Sequence, residues 1–452
     1  MFLHGQELAF WSKVSSMNDK LKHHLENDFL MPVRDPIWQH IYLSHGLMKL
    51  IKTQGFLQLS RIKQLGPAYL VYPGATHSRY SHSLGVFHGA KKILLKLISH
   101  PKCPPITLAG GKAFLCAALL HDLGHFPYTH SLKELPLKEH EQLTGELVLS
   151  EEISQVITDY VETDPLQVAK IVDVSLPCND WETNYFRSIL SSPLDPDKLD
   201  YLTRDAFFCG VPYGTQDMDF ILSRIHPSKQ DGIALDEQGI SAIEHLLFSK
   251  YLMYRSVYWH RDVRIATGMI KKALFLGLTA QKIQPEDLYH LDDESFYRNI
   301  KEINDFKPFQ LIDQVHEGRL FQILAQTPFN PKSPLHVSLT KLDQRKALEE
   351  GIVNYLSNKL GKQIEYHQLV LDIPEAVSFE INMPIITASG DEVLYSSVPS
   401  VFSKEVIQQF TQTLRVIRIG VEPLLVKELN ALKSSIDCED LLEQLATPVD
   451  LS

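Results

Sequence analysis

The sequence is poor in the features that would tie it to an oxidising compartment, a membrane or a nucleic-acid surface. Its cysteines (Cys103, Cys116, Cys178, Cys209 and Cys438) are odd in number, and none are spaced C-x-x-C. That excludes a disulfide framework and makes a reducing cytoplasm the expected location. The opening MFLHGQELAFWSKV lacks a basic start followed by an apolar run, so no secretory signal is expected. No run of about 18 apolar residues occurs, which argues against a membrane span. Lysine and arginine number 44 against 55 acids, giving a net charge of −11. A surface committed as a whole to nucleic acid is therefore excluded, leaving room only for a local basic pocket. Walker A, G-x-G-x-x-G and H-E-x-x-H motifs are absent.

What remains is an ordinary globular composition, 44% hydrophobic and 22% charged over 452 residues. That length suits two or three domains. Residues 1–30 are polar and read as an N-terminal arm or short helix. MPVRDPIWQHIYLS (31–44) reads as a strand or hairpin. Apolar spacings of three and four predict helix from 45 to a stop at Gly66, and again over 81–99, 111–126, 136–151, 195–210 and 250–278. After 281 the chain is first mixed and helical. Val, Ile and Pro then alternate as strands over 368–388 and 392–402, before a helix and a further strand. The fold class expected is mainly α: a helical catalytic core over 31–280, with a small α+β region over 281–452.

Chemistry concentrates in three places. HDLGH (121–125) ends a helix that is apolar on nearly every side, and a buried carboxylate costs several kcal/mol unless paired or bound to metal. Read as continuous helix, it puts His125 on the face of His121, with His130 one turn or loop later. HSRYSHSLG (77–85) places Arg79 and His82 three apart, an anion clamp and a ligand on one face. DPDKLDYLTRD (195–205) carries Asp197, Tyr201 and Asp205 at i, i+4 and i+8. In the same stretch Asp200 and Arg204 read as an ordinary i,i+4 pair on a solvated face.

PGATHSRYSHSLGV, LLHDLGHFPYTH, HEQ (140–142) and LDPDKLDYLTRD occur in this order, with DPIWQHI, IKQLG and YWHR around them. Together they resemble the dNTP triphosphohydrolases of the HD superfamily, a group with bacterial dGTP triphosphohydrolase-like members. The resemblance implies an HD-domain helical core. It implies that His82, His121, Asp122 and Asp197 hold one divalent metal ion, for which Mn, Fe, Zn, Ni or Mg all suit two nitrogens and two carboxylates. It places His125, His130 and His140 at the scissile phosphate, with His130 the proton donor, and Arg79 and Lys198 on phosphates. Gln64, Tyr201, Asp205 and Tyr258 fall at the sugar. The implied reaction is hydrolysis of a dNTP to deoxynucleoside and triphosphate, in a homo-oligomer (dimer or tetramer).

The chain departs from the family where the nucleotide activator binds. Lys52-Thr53-Gln54-Gly55-Phe56-Leu57-Gln58-Leu59-Ser60 stands in place of D-T-P-Q-F-Q-R-L-R, so the acid that reads guanine is a lysine. Gln58 replaces an arginine usual at the active site. Two alternatives stay open: an HD phosphohydrolase acting on a nucleoside monophosphate or nucleic-acid end, and a non-catalytic nucleotide sensor.

Overall fold

A computed structural model describes residues 17–228, 232–379, 381–433 and 437–446. Helices dominate it. Residues 17–27 are helical, while the first part of the expected arm lies outside the described residues. The hairpin predicted near residue 31 is present: Met31–Asp35 pairs antiparallel with Gln39–Leu43. Its turn is held by Asp35 Oδ1, which accepts from the Ile37 and Trp38 amides at 2.8 and 2.9 Å.

Two helices build the centre of the first core, Arg79–Ile98 and Leu108–Leu120. The second was expected to run through Phe126. It stops at Leu120, with His121 as its C-cap. The reason is the approach of the helix His140–Val148. A Cβ on Gly124 would lie 2.4 Å from both His140 O and Thr144 N, so the chain turns there. Thr144 Oγ1 accepts from Gly124 N at 2.8 Å and donates to His121 O at 3.1 Å, satisfying the groups the broken helix leaves free. His121 and His125 therefore do not share a helical face.

Other expected helices are cut in similar ways. Residues 45–66 form short pieces, His45–Leu50, Gln54–Gln58 and a 3-10 turn Leu59–Arg61, rather than one run to Gly66. Residues 250–278 divide into the end of Ile240–Met253, a π-turn Tyr254–Tyr258 and Arg261–Thr279. Pro196–Cys209 matches expectation, with Asp195 as N-cap and Gly210 in left-handed backbone as C-cap (φ 68).

The C-terminal strands also appear, and they join the rest of the molecule. Pro384–Ile386 pairs parallel with Gly232–Asp236 and antiparallel with Glu392–Leu394. Val416–Val421 lies between Gln322–Pro328 and Leu369–Asp372. The hydrophobic cores ignore position 280. Phe379, Met383 and Leu414 pack in the first core. Phe126, Leu132 and Leu135 pack with Ile265, Met269, Phe309 and Val370 in a second.

The helices Arg79–Ile98 and Pro196–Cys209 touch at Gly85. A Cβ there would lie 1.8 Å from Asp200 Oδ1 and 2.6 Å from Arg204 Nη2. Only glycine lets the second helix bring this charged pair so close. Gly85→Ala is expected to cost about 1–3 kcal/mol, as overpacking generally does. Thermal melting should show a clear drop in Tm, and an unchanged Tm would remove the close approach from the account.

Candidate metal and nucleotide site

The helix Arg79–Ile98 supplies Arg79 and His82 from its first turn. The end of Leu108–Leu120 supplies His121 and Asp122, and the first turn of Pro196–Cys209 supplies Asp197 and Lys198. Ligand atoms of His82, His121 and Asp122 lie within 4.8 Å of one another. Asp197 Oδ1 closes the group, 2.9 Å from His82 Nε2 and 3.8 Å from His121 Nε2.

The tautomers can be worked out from the partners. His121 Nδ1 lies 3.0 Å from the Ala118 carbonyl, which only accepts, so Nδ1 carries the hydrogen and Nε2 keeps its lone pair. That Nε2 is buried without a hydrogen-bond partner. His82 Nδ1 likewise faces Asp200 Oδ2 at 2.9 Å, turning its Nε2 towards Asp197 and Asp122. Lone pairs and carboxylate oxygens thus converge, an arrangement stable only around a cation or a proton. Burial alone would lower the His82 pKa. The flanking Asp197 and Asp200 overcome this and raise it to about 10, so a proton takes the place a cation would. Burial would raise Asp197, but His82 holds it down at about 2. The donor set fits a divalent ion.

Asp200 and Arg204 overturn their reading as a solvated pair, since both are fully buried. Asp200 accepts from Trp38 Nε1 at 2.6 Å, from His82 Nδ1 at 2.9 Å and from Arg204 Nε and Nη2 at 2.8 and 2.9 Å. Arg204 Nη1 passes on to Asp35 Oδ2 at 2.8 Å. The hairpin covers this face of the helix, which local spacing could not reveal.

On the other side of Asp122 lies a wall of imidazoles. The rings of His125 and His140 are 3.9 Å apart between centroids, and His125 Nε2 is 3.2 Å from His130 Nε2. Asp122 joins the two halves, with Oδ1 3.2 Å from His125 Nδ1 and Oδ2 accepting from Arg79 Nη1 at 2.6 Å. Desolvation, with Arg79 nearby, pushes His125 well below the usual histidine range, and His140 follows chiefly by burial. His130 keeps an exposed edge, but the surrounding protein still lowers its pKa. The loop that carries His130 passes through Tyr128 in left-handed backbone (φ 65), a conformation uncommon for a bulky residue.

A third group lies further along Pro196–Cys209. Asp205 accepts from Tyr258 Oη at 2.7 Å and from His77 Nε2 at 2.8 Å. The π-turn Tyr254–Tyr258 presents Tyr258, whose ring sits 6.4 Å from that of Tyr201. His77, absent from the expected set, stacks on Phe208 at 4.6 Å. Its carbonyl accepts from Gln64 N at 3.0 Å, and Gln64 Oε1 is buried without a partner. Lys198 is turned aside: its ammonium pairs with Asp195 and donates to Ser192 O. Lys250, not singled out from the sequence, lies near Lys198, and its ammonium donates to Ser378 O at 2.8 Å. Burial, together with the charge of Lys198, lowers its pKa to about 8.

Among known proteins, the HD domain family is matched over residues 79–173 and the HD associated region over 217–403. The protein YwfO of Bacillus subtilis is 30% identical over 339 residues, covering 70% of this chain and 76% of that one. Deoxynucleoside triphosphate triphosphohydrolase SAMHD1 of Gallus gallus is 27% identical over 389 residues, covering 75% of this chain and 62% of that enzyme. A phosphohydrolase structure from Bacteroides thetaiotaomicron shares the fold, with TM-score 0.66 at 23% identity, covering 86% of this chain and 99% of that chain. No helix among the described residues is long and apolar enough to cross a membrane.

Asp200→Asn keeps the size of the side chain but loses its charge beside His82. Loss of such a carboxylate behind a histidine ligand typically costs 10–100-fold in metal affinity, and about that loss is expected here. Manganese titration of metal-stripped protein, with helicity followed by circular dichroism, measures it. An unaltered Kd would separate Asp200 from the cation site.

Proposed function

This chain belongs to the HD-domain family that carries an HD-associated region, a family of metal-dependent phosphohydrolases, and on that premise we propose that it hydrolyses dNTPs to deoxynucleoside and triphosphate. The observation that carries the proposal is the sharing of one helix face by a cation site and a sugar-sized wall. Asp197, Tyr201 and Asp205 stand on Pro196–Cys209. Eight residues of α-helix separate its ends by about 12 Å, enough for a phosphate and a pentose in sequence. The likeness to SAMHD1 supports the same reading.

His82, His121, Asp122 and Asp197 are the residues that would hold the ion. When bound, a divalent ion supplies Lewis acidity, making water nucleophilic near neutral pH and polarising the phosphoryl oxygen. Arg79, already aligned on Asp122, offers its remaining guanidinium hydrogens to the phosphates, and Lys250 adds charge beside Lys198. His130 meets the leaving oxygen. Its own surroundings disfavour a proton, but an arriving polyphosphate reverses that balance by adding negative charge, so substrate arms its own donor. Tyr201 and Tyr258 press an aromatic wall against the sugar, with Asp205 fixed between Tyr258 and His77 as an acceptor for a hydroxyl. Close aromatic packing at the ribose 2′ position favours the deoxy sugar. Assembly as a homo-oligomer belongs to the same proposal.

The pairing of Lys198 with Asp195 favours one second reading. With an expected phosphate contact engaged elsewhere, a monophosphate or nucleic-acid end would suit the site better than a triphosphate.

The deciding measurement is turnover of each dNTP and NTP with Mn, Mg, Fe or Zn, following triphosphate and nucleoside together. Equal release of both from dNTPs is expected. Asp197→Ala and His121→Ala should abolish it, and His130→Ala should lower kcat about 10²-fold or more, the usual scale for general acid catalysis. Tyr201→Ala should narrow the preference for dNTP over NTP. Monophosphate hydrolysis without triphosphate release would select the second reading, and inactivity with every metal and substrate would leave a sensor.

A further inference from the structure

His130 stands on a turn that does not hold itself. Its 3-10 segment Thr129–Leu132 is short and begins at the left-handed Tyr128. Such backbone persists only where the surroundings impose it. On one side the hold is apolar: Leu132 and Leu135 are buried in the second core, and Tyr128 meets the Phe296 ring at 5.6 Å.

On the other side it is ionic. Glu134, two residues beyond the turn, accepts from Lys271 Nζ at 2.5 Å and from Arg345 Nη2 and Nη1 at 2.8 and 3.2 Å. Both cations are nearly inaccessible to solvent, and both come from far along the chain. Lys271 lies on Arg261–Thr279 and Arg345 on Leu342–Leu360. Lys271 also reaches Glu375 at 2.6 Å, and Glu375 reaches Arg264, itself paired twice with Asp372. Among the described residues, Arg345 has no carboxylate other than Glu134 within ion-pair distance.

The form of this contact matters. Apolar packing would hold the loop against the core as firmly, and buried ion pairs are a costly route to stability alone. A carboxylate gripped by a forked guanidinium and an ammonium from two different helices is fixed in position and orientation. The grip falls four residues from the imidazole whose placement the reaction depends on.

We propose that Glu134, clamped by Lys271 and Arg345, is a positioning residue for His130, so that the C-terminal helix Leu342–Leu360 sets the rate of the chemical step. The proposal rests on the reading of His130 as the proton donor to a nucleotide leaving group.

The test is a double-mutant cycle. Arg345→Met, Arg345→Lys and Glu134→Gln are each made in the native chain and in His130→Ala. The readouts are kcat and KM for the best dNTP, metal content, and hydrogen exchange over residues 126–135. In the native chain Arg345→Met should lower kcat about 10- to 100-fold, the scale of a misplaced catalytic group. KM and metal content should hold, and Arg345→Lys should recover part of the loss. In His130→Ala the same change should cost nothing more. Exchange should quicken over 126–135 and stay slow over Arg79–Ile98. Equal losses in both backgrounds would show a merely structural clamp and overturn the proposal, as would unchanged exchange in both Arg345→Met and Glu134→Gln. A native enzyme inactive on every nucleotide would instead sink the functional reading, and exchange alone would then decide whether the clamp holds the loop. Full activity in His130→Ala would remove the donor, and the proposal with it.

Discussion

One buried carboxylate organises the centre of this molecule. Asp200 gathers the indole of Trp38, the imidazole of His82 and the guanidinium of Arg204 around two oxygens with no access to water. Burial pushes its proton affinity up, but Arg204 and His82 reverse that and keep it ionised well below the normal range. Through Arg204 the charge continues to Asp35, whose other oxygen shapes the hairpin turn. The hairpin, the helix bearing His82 and the helix bearing Asp197 are thus held to one point. A buried pair is poor value as a source of stability, because desolvation offsets most of the attraction. Its consequence here is geometric: Asp200 fixes the His82 Nδ1 as a donor and so turns Nε2 towards Asp197.

The same logic divides the site around Asp122. One of its oxygens meets Arg79, and the other lies between His121 and His125. On the His82 side, Asp197, Asp200 and Asp122 favour positive charge. On the His125 side, burial and Arg79 keep the imidazoles neutral. A site that binds a cation beside a polyanion has use for both. On the proposed reading, neutral imidazoles would leave the phosphate path free of fixed charge until substrate arrives, and the acid cluster would concentrate the ion. Keeping two environments a few ångströms apart requires dry surroundings, and His82, Asp122 and His125 are all buried.

How much of this the sequence carried depends on the distance over which each feature is decided. HDLGH, with its apolar approach, carries its meaning locally, as do the N-cap Asp195 and C-cap Gly210 of the helix behind it. The four metal-type residues were singled out because three short segments together resemble one family, and the structure brings their ligand atoms close together. Asp200 was misjudged because the hairpin that buries it lies more than 150 residues away in sequence. The break after Leu120 was missed because a close approach by another helix imposes it at Gly124, where local apolar spacing still favours helix. His77 gave no signal of its own, being one histidine in a chain with many, and becomes meaningful only once Asp205 is seen at 2.8 Å. Most of the mainly α class was visible for the reason helices generally are, since their periodicity is written within a dozen residues. The strand order of the C-terminal sheets was not, because it depends on pairings between distant segments.

The site also lies across the two regions matched to known families. Asp197, Tyr201 and Asp205 fall between the HD domain at 79–173 and the associated region at 217–403, and Gln64 and His77 precede both. The matched HD segment provides His82, His121, Asp122 and the imidazole wall, while Asp197, which closes the cation-type cluster, lies beyond it. What would tell a deoxynucleotide from any other phosphate sits on elements brought in from elsewhere: the helix Pro196–Cys209, the π-turn at Tyr258 and the segment through His77. The cation-type cluster and the Tyr201–Asp205 group thus share the helix Pro196–Cys209 but are held by different partners. On the proposed reading, changes to the sugar wall would alter substrate choice while leaving the hydrogen bonds of the cation site in place, because Asp205 is held by Tyr258 and His77, and His82 by Asp200, through hydrogen bonds that share no residue.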